Sequence, residues 1–141
     1  MHTILIPVDG SSHAKKALKY AISTIKEGLA ADIHIINVQP MVYPIGELPM
    51  LDIELIEEAQ KKQAKKVISA ASKMLNEAGL KHTTHFEFGP VASSIVSYAK
   101  AHGCDSIIMG TRGMGLLKNI VLGSTSNKVV HLAEIPVTLV K

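Results

Sequence analysis

The chain has 141 residues, of which 47% are hydrophobic and 19% charged, and its formal net charge is +3. This length and composition predict a single domain over residues 1–141 with a substantial core, and they exclude a disordered chain. One cysteine excludes an internal disulfide framework, and an aromatic content of 4% leaves little for stacking nucleic-acid bases.

Short apolar runs alternate with amphipathic helical patterns along the chain. The predicted strands cover residues 3–8, 32–38, 81–88, 106–109 and 136–140, and a helix is predicted after each of the first four. The third run alternates in polarity more than the others, as an edge strand can. The order of elements predicts an α/β fold with a mostly parallel sheet and helices on both faces.

The helix boundaries carry their own signals. Ser11 or Ser12 can cap the first helix, and Gly28 and Gly79 stand where the first two helices should end. Pro90 is predicted to be the first residue of the third helix. In such sheets ligands bind at the carboxyl ends of the strands, near the point where the strand order reverses. We therefore expect the residues that follow the strands to meet in one crevice.

The most informative stretch follows the fourth predicted strand. Gly110, Gly113, Gly115 and Gly123 are spaced along it, and Ser124, Thr125 and Ser126 then open the last helix. Glycines allow close backbone approach, and a helix start offers amide donors to an anion. A dinucleotide fingerprint fails, because the first strand is followed by one glycine. A P-loop fails because leucines replace its lysine and hydroxyl residue, and a KH clamp fails because a strand precedes the glycines.

The remaining spacing, Gly-x2-Gly-x9-Gly-Ser, resembles the nucleotide-binding signature of the universal stress protein family. Further segments are similar to that family from end to end: residues 4–11, Gly89-Pro90, residues 106–113, 123–126 and 136–140. The resemblance implies a three-layer α/β/α fold of the adenine-nucleotide α-hydrolase-like type, with a five-stranded parallel sheet in the order 3-2-1-4-5. It also implies a homodimer formed through the fifth strand.

The resemblance further implies that the chain binds ATP with Mg²⁺ and acts as a nucleotide-dependent regulator. It places Pro7 and Val8 against the base, and it places Asp9 near the ribose or the bound cation. The backbone of Val38 would bond the adenine edge, and Met109 and Gly110 would face the ribose. The phosphates would be held, mostly through amide N–H groups, by the following residues: Arg112, Gly113, Gly123, Ser124 and Thr125. Hydrolysis is expected to be slow at most, because Asp9 is the one candidate for a general base.

Other interpretations stay open at this point. The glycine loop can be a structural closure in a dimeric protein-interaction module, and the hydroxyl residues at positions 124–126 can be helix caps only. A metabolic enzyme of the same nucleotide-binding type has weaker support, because the chain is short. Residues 39–51 carry no assigned role. A short apolar N-terminal run and the absence of any span of about 20 apolar residues predict a cytoplasmic protein without a membrane partner. The clustered lysines at 61, 62, 65 and 66 favour a solvated helix face over nucleic-acid binding.

Overall fold

A computed structural model describes residues 1–43, 46, 50–112 and 122–141. Strands and helices alternate along it: β1 (His2–Pro7), α1 (Ser12–Lys26), β2 (Ala31–Gln39), α2 (Met50–Glu77), β3 (His82–Phe88), α3 (Val91–Ala101), β4 (Ser106–Gly110), α4 (Ser124–Leu132) and β5 (Val137–Val140). The five strands form one sheet in the order β3-β2-β1-β4-β5, and every pairing is parallel. The predicted fold class and strand order are confirmed, and β3 lies at an edge as its polarity indicated.

Each face of the sheet carries its own hydrophobic core, because successive side chains of a strand point to opposite faces. On β1, Ile4 and Ile6 pack with α1 and α2, whereas Leu5 packs with α3. The central strands are buried on both sides and therefore read as continuous apolar runs. The helices form the two outer layers, with α1 and α2 on one face and α3 and α4 on the other.

The same alternation separates the two histidines of β3. His82 contacts Ser72 of α2 with its Nε2 at 2.9 Å, whereas His85 stacks on Tyr98 of α3. A separation of three residues along a strand places two side chains on opposite faces of the sheet. Across the residues that the structure describes, no three histidine, cysteine or acidic side chains are grouped to hold a metal ion.

Helix starts agree with the sequence signals in part. Ser11 is the N-cap of α1, and its Oγ accepts a hydrogen bond from Ala14 N–H at 3.1 Å. Pro90 is the N-cap of α3 rather than its first residue, because its ψ of 123° is extended although its φ of −63° suits a helix. The N-cap of α4 is Gly123, which has no side chain to cap the helix.

The four lysines of the α2 stretch are exposed, as expected for a solvated face. Over the described ranges, no helix combines the length and the hydropathy that a membrane span requires.

Candidate functional site

A cleft opens at the carboxyl ends of β1, β2 and β4, where the chain crosses from one side of the sheet to the other. The space between its walls is about 480 Å³ and is open to solvent. Its lining residues come from every layer of the fold: Pro7, Val8, Asp9, Ala14, Ile36, Val38, Val91, Ile95, Met109, Gly110, Arg112, Thr125 and Ser126. The predicted crevice is therefore present, and eight of the eleven residues expected at it line this cleft.

The turn after β1 presents Asp9 at the mouth of the cleft. One carboxylate oxygen of Asp9 accepts a hydrogen bond from Ser11 N–H at 2.9 Å, which fixes the turn. Gly10 has a φ of +84°, a conformation that a side chain would strain. Asp9 is exposed, so its carboxylate is held in a defined place while it stays accessible to a ligand.

The end of β2 offers backbone groups to the cleft. On the β1 side of β2, the last backbone hydrogen bond runs from Val8 N–H to the Ile36 carbonyl at 2.9 Å. On the β3 side, Gly89 N–H donates to the Gln39 carbonyl. Alternate residues of a parallel strand direct both backbone groups to the same neighbour. The N–H and C=O of Val38 therefore face the β1 side, and no described residue of β1 continues the ladder to them.

A buried amide accounts for this ending. Asn37 is 2% exposed, and its Nδ2 donates to the Val8 carbonyl at 2.7 Å, where the Val38 N–H would otherwise bond. The Oδ1 of Asn37 accepts a hydrogen bond from Gln39 Nε2 at 3.0 Å. A polar side chain thus closes the β1 ladder one residue before Val38.

The end of β4 is packed against the start of α1. A Cβ atom on Gly110 would lie 2.7 Å from the His13 carbonyl carbon and 2.8 Å from its carbonyl oxygen. Gly110 is therefore required by close backbone contact, and its carbonyl accepts a bond from Ser126 Oγ at 2.8 Å. Met109, 6% exposed, lines the cleft beside it.

The start of α4 supplies donors to the same opening. The Gly123 N–H donates to the Thr111 carbonyl at 2.6 Å, so this amide is engaged within the fold and is not offered to a phosphate. The N–H groups of Ser124 and Thr125 belong to the first turn of α4 and have no partner within the helix. Ser124 is exposed outside the lining, whereas Thr125 contributes to it. Gly113 lies outside the described residues.

The lining combines mostly apolar walls with two charged side chains. Asp9 and Arg112 are the charged residues among the lining positions that the structure describes, and the walls between them are apolar, with Ile36, Val38 and Ile95 prominent. No lysine, histidine or cysteine lines the described part of the cleft. An apolar cleft with one carboxylate and one guanidinium suits a heterocycle that carries an anionic tail.

Several lining residues were not among those expected at the site. Ala14, Val91 and Ile95 read as apolar positions of their helices, and Ile36 as an interior position of a strand. Each faces the core along one part of its surface and the cleft along another. Their position at the carboxyl-terminal edge of the sheet was the signal that could have identified them as lining residues.

Comparisons with known proteins agree with this geometry. The family model described as "Universal stress protein family" matches residues 1–141. Universal stress protein MJ0531 of Methanocaldococcus jannaschii is 36% identical over 140 residues, covering 98% of this chain and 81% of that protein. Universal stress protein UspA from Lactobacillus plantarum superposes with a TM-score of 0.87 at 22% identity, covering 99% of this chain and 97% of the other.

Two further similar structures hold adenine mononucleotides. A universal stress protein family protein from Arabidopsis thaliana has AMP bound and superposes with a TM-score of 0.73 at 18% identity, covering 100% and 92% of the two chains. The universal stress protein from Archaeoglobus fulgidus in complex with dAMP gives 0.70 at 21% identity, covering 100% and 98%. At these identities the likeness establishes the fold. Together with the family model, the comparisons show that this chain belongs to the universal stress protein family.

Proposed function

We propose that this chain binds an adenine nucleotide, with ATP as its main ligand, in the cleft at the carboxyl ends of β1, β2 and β4. The observation that carries the proposal is the ladder end at Val38, whose backbone N–H and C=O face an apolar slot. An adenine edge presents one acceptor and one donor side by side, which complements one backbone N–H and one C=O. The AMP and dAMP held by two family members support the same ligand class.

The adenine ring would lie between apolar walls. Pro7 and Val8 line the slot from β1, and Met109 lines it from β4, with Ile95 contributed by α3. Burial of the ring against these side chains contributes about 25 cal/mol for each Å² of apolar surface removed from water. The base therefore supplies affinity, and the Val38 backbone supplies the choice of adenine.

The phosphates would extend toward the start of α4. The amides of Ser124 and Thr125 point out of the helix start, where the helix dipole stabilises an anion by about 0.3–1 kcal/mol. Arg112 lines the same side of the cleft with a cationic group. We include Gly113 among the residues that would hold the phosphates because it belongs to the family signature. Gly123 acts indirectly, because its bond to Thr111 holds the helix start in place.

A magnesium ion fits Asp9 only together with the phosphates. Mg²⁺ is commonly bound by one or two carboxylates, with substrate phosphates and water completing its shell. Asp9 is an exposed carboxylate at the mouth of the cleft, and the described residues offer no further acidic side chain in its lining. The ion would neutralise phosphate charge, and Asp9 would fix its position.

The residues of the cleft support a regulatory role better than an enzymatic one. Rapid hydrolysis requires a residue that orients or deprotonates water, and Asp9 is the candidate acidic group in the described lining. We propose a cytoplasmic stress-response regulator in which nucleotide occupancy controls contacts with partner proteins. Homodimerisation would use β5, an edge strand of sequence Val-Thr-Leu-Val without a charged side chain.

Two variants of α4 test nucleotide binding. Thr125 lines the cleft, so Thr125→Glu places a negative charge where the phosphates would lie, and we expect Mg-ATP affinity to fall by at least about tenfold in isothermal titration. Asn127→Glu places the same charge on an exposed position of the same helix and should bind normally. Purified wild-type protein should release adenine nucleotide when it is denatured.

The alternative is a dimeric interaction module of the same fold, whose glycine loop only closes the structure. That alternative gains support if wild-type protein releases no nucleotide and shows no heat of binding with millimolar Mg-ATP. Equal affinities of the two glutamate variants would instead place any nucleotide away from α4. Titration with AMP beside ATP measures what the phosphate contacts contribute.

A further inference from the structure

Three histidines surround one buried tyrosine at the opposite end of α3 from the cleft. Tyr98 is 5% exposed, and its ring stacks on His102 with centroids 3.8 Å apart and on His85 at 4.8 Å. The third imidazole, His34 of β2, meets the Tyr98 hydroxyl with its Nδ1 at 2.8 Å. His34 also lies 5.8 Å from His102, centroid to centroid. We call these four residues the His–Tyr cluster.

The hydrogen bonds of the cluster distinguish its members. His102 Nδ1 is 3.0 Å from the Tyr98 carbonyl, which can only accept, so this nitrogen carries a proton in either charge state. The bond between His34 and the Tyr98 hydroxyl is different, because neutral imidazole can accept at Nδ1 but protonated imidazole can only donate. Protonation of His34 therefore excludes the arrangement in which the tyrosine donates.

The acidic groups near the cluster are few and are placed toward its margin. From β2, Asp32 precedes His34 by two residues and shares its side of the strand. From β3, Glu87 contacts His85 with Oε1 to Nε2 at 3.2 Å. Beyond α3, Cys104 is buried and Asp105 accepts a bond from Thr3 N–H. His34 thus faces His102 and Tyr98 across the α3 interface, with Asp32 as the nearby acid.

We propose that the His–Tyr cluster is a proton-binding site whose occupation at mildly acidic pH weakens the packing of α3 on β2 and β3. The geometry is unfavourable for a charged His34, since the ring is partly buried and has a second imidazole as neighbour. A charge on both rings would place like charges about 6 Å apart at the interface.

The direction in which stability changes with pH follows from the pKa of His34. Burial lowers the pKa of His34 below its usual value, the nearby His102 lowers it further, and Asp32 offsets part of this. His34 therefore binds a proton near pH 6.5 in the unfolded chain, whereas in the folded chain it binds one only at lower pH. Stability from this group is fully present above pH 6.5 and is lost as the pH falls toward the folded-state value. For one such proton, the unfolding constant rises by up to about tenfold for each pH unit in that window.

Unfolding in urea at pH 7.5, 6.5 and 5.5 tests the proposal on the full chain. Between pH 6.5 and 5.5 we expect the unfolding constant of the wild type to rise several-fold more than that of His34→Gln, whose amide can still bond the tyrosine. His131→Gln is the matched control, because His131 is exposed in the last turn of α4, and it should keep the wild-type pH dependence. An unchanged pH dependence in His34→Gln overturns the proposal.

A second measurement needs no variant to fold. In the wild-type protein, NMR titration of the imidazole carbon-bound protons gives a protonation midpoint for each histidine. We expect His34 to titrate below pH 6.5 and the Tyr98 ring resonances to move with the same midpoint, because the two side chains share a hydrogen bond. A midpoint for His34 at or above 6.5, or Tyr98 signals that do not follow it, overturns the proposal.

Discussion

Replacement of Gly110 by alanine tests how the cleft is built. Gly110 ends β4, and its backbone lies directly against the first turn of α1. The added Cβ would lie 2.7–2.8 Å from three atoms of His13: the carbonyl carbon, the carbonyl oxygen and Cβ. These contacts fall about 0.7 Å short of the 3.4 Å at which ordinary van der Waals contact begins. Two of the three are backbone atoms, so no side-chain rotation relieves them.

The cost follows from the need to displace a helix. Overpacking of this kind costs about 1–3 kcal/mol, because backbone must move. At about 2–4 °C for each kcal/mol in a chain of this size, a cost near 2 kcal/mol lowers Tm by about 4–8 °C. Circular dichroism on heating measures that shift. Since α1 and β4 both line the cleft, Mg-ATP affinity measured by titration should fall as well.

Gly89→Ala provides the matched control. Gly89 also follows a strand end, and a Cβ there would lie 2.7 Å from one atom, the Ser94 Oγ. A hydroxyl can rotate away, so the expected loss is below about 1 kcal/mol. If Gly110→Ala melts no lower than Gly89→Ala, the packing of β4 on α1 does not constrain position 110.

Two further predictions concern buried polar groups. Asn37→Leu removes two hydrogen bonds of a buried amide, the one from Nδ2 to the Val8 carbonyl and the one that Oδ1 accepts from Gln39 Nε2, and we expect a loss of about 1–3 kcal/mol in the free energy of unfolding measured in urea; a loss below about 0.5 kcal/mol would contradict the role of these bonds. Burial raises the pKa of the Cys104 thiol, so native protein should react with a disulfide reagent at pH 7.5 at least about tenfold more slowly than urea-unfolded protein. Equal rates would show that the thiol is accessible.

The sheet could be predicted from sequence because its signals are local. Apolar runs without alternation indicated buried parallel strands, and the polar alternation of β3 indicated an edge. Alternation along β3 also places His82 and His85 on opposite faces, where they contact α2 and α3. Strand order came from the family resemblance, since local patterns do not encode which strands are neighbours.

The cleft was predictable in its position and less so in its details. Asp9, Val38 and Gly110 follow or end strands, and parallel topology alone brings such residues together. The roles of Asn37 and Ser126 were not visible, because each bonds a carbonyl that is distant in sequence, Val8 and Gly110. A glycine signature likewise does not reveal that the Gly123 amide is already bonded to Thr111.

The side-chain amide of Asn37 affects which partners the backbone groups at the end of β2 can bond. Paired strands extend their pairing by forming further backbone hydrogen bonds. The pairing of β1 with β2 could extend in this way if the Val38 N–H donated to the Val8 carbonyl. Asn37 donates to that carbonyl instead, and the ladder between the two strands ends at Ile36. The backbone groups of Val38 therefore stay outside the β1 ladder, which is what the proposed adenine contact requires.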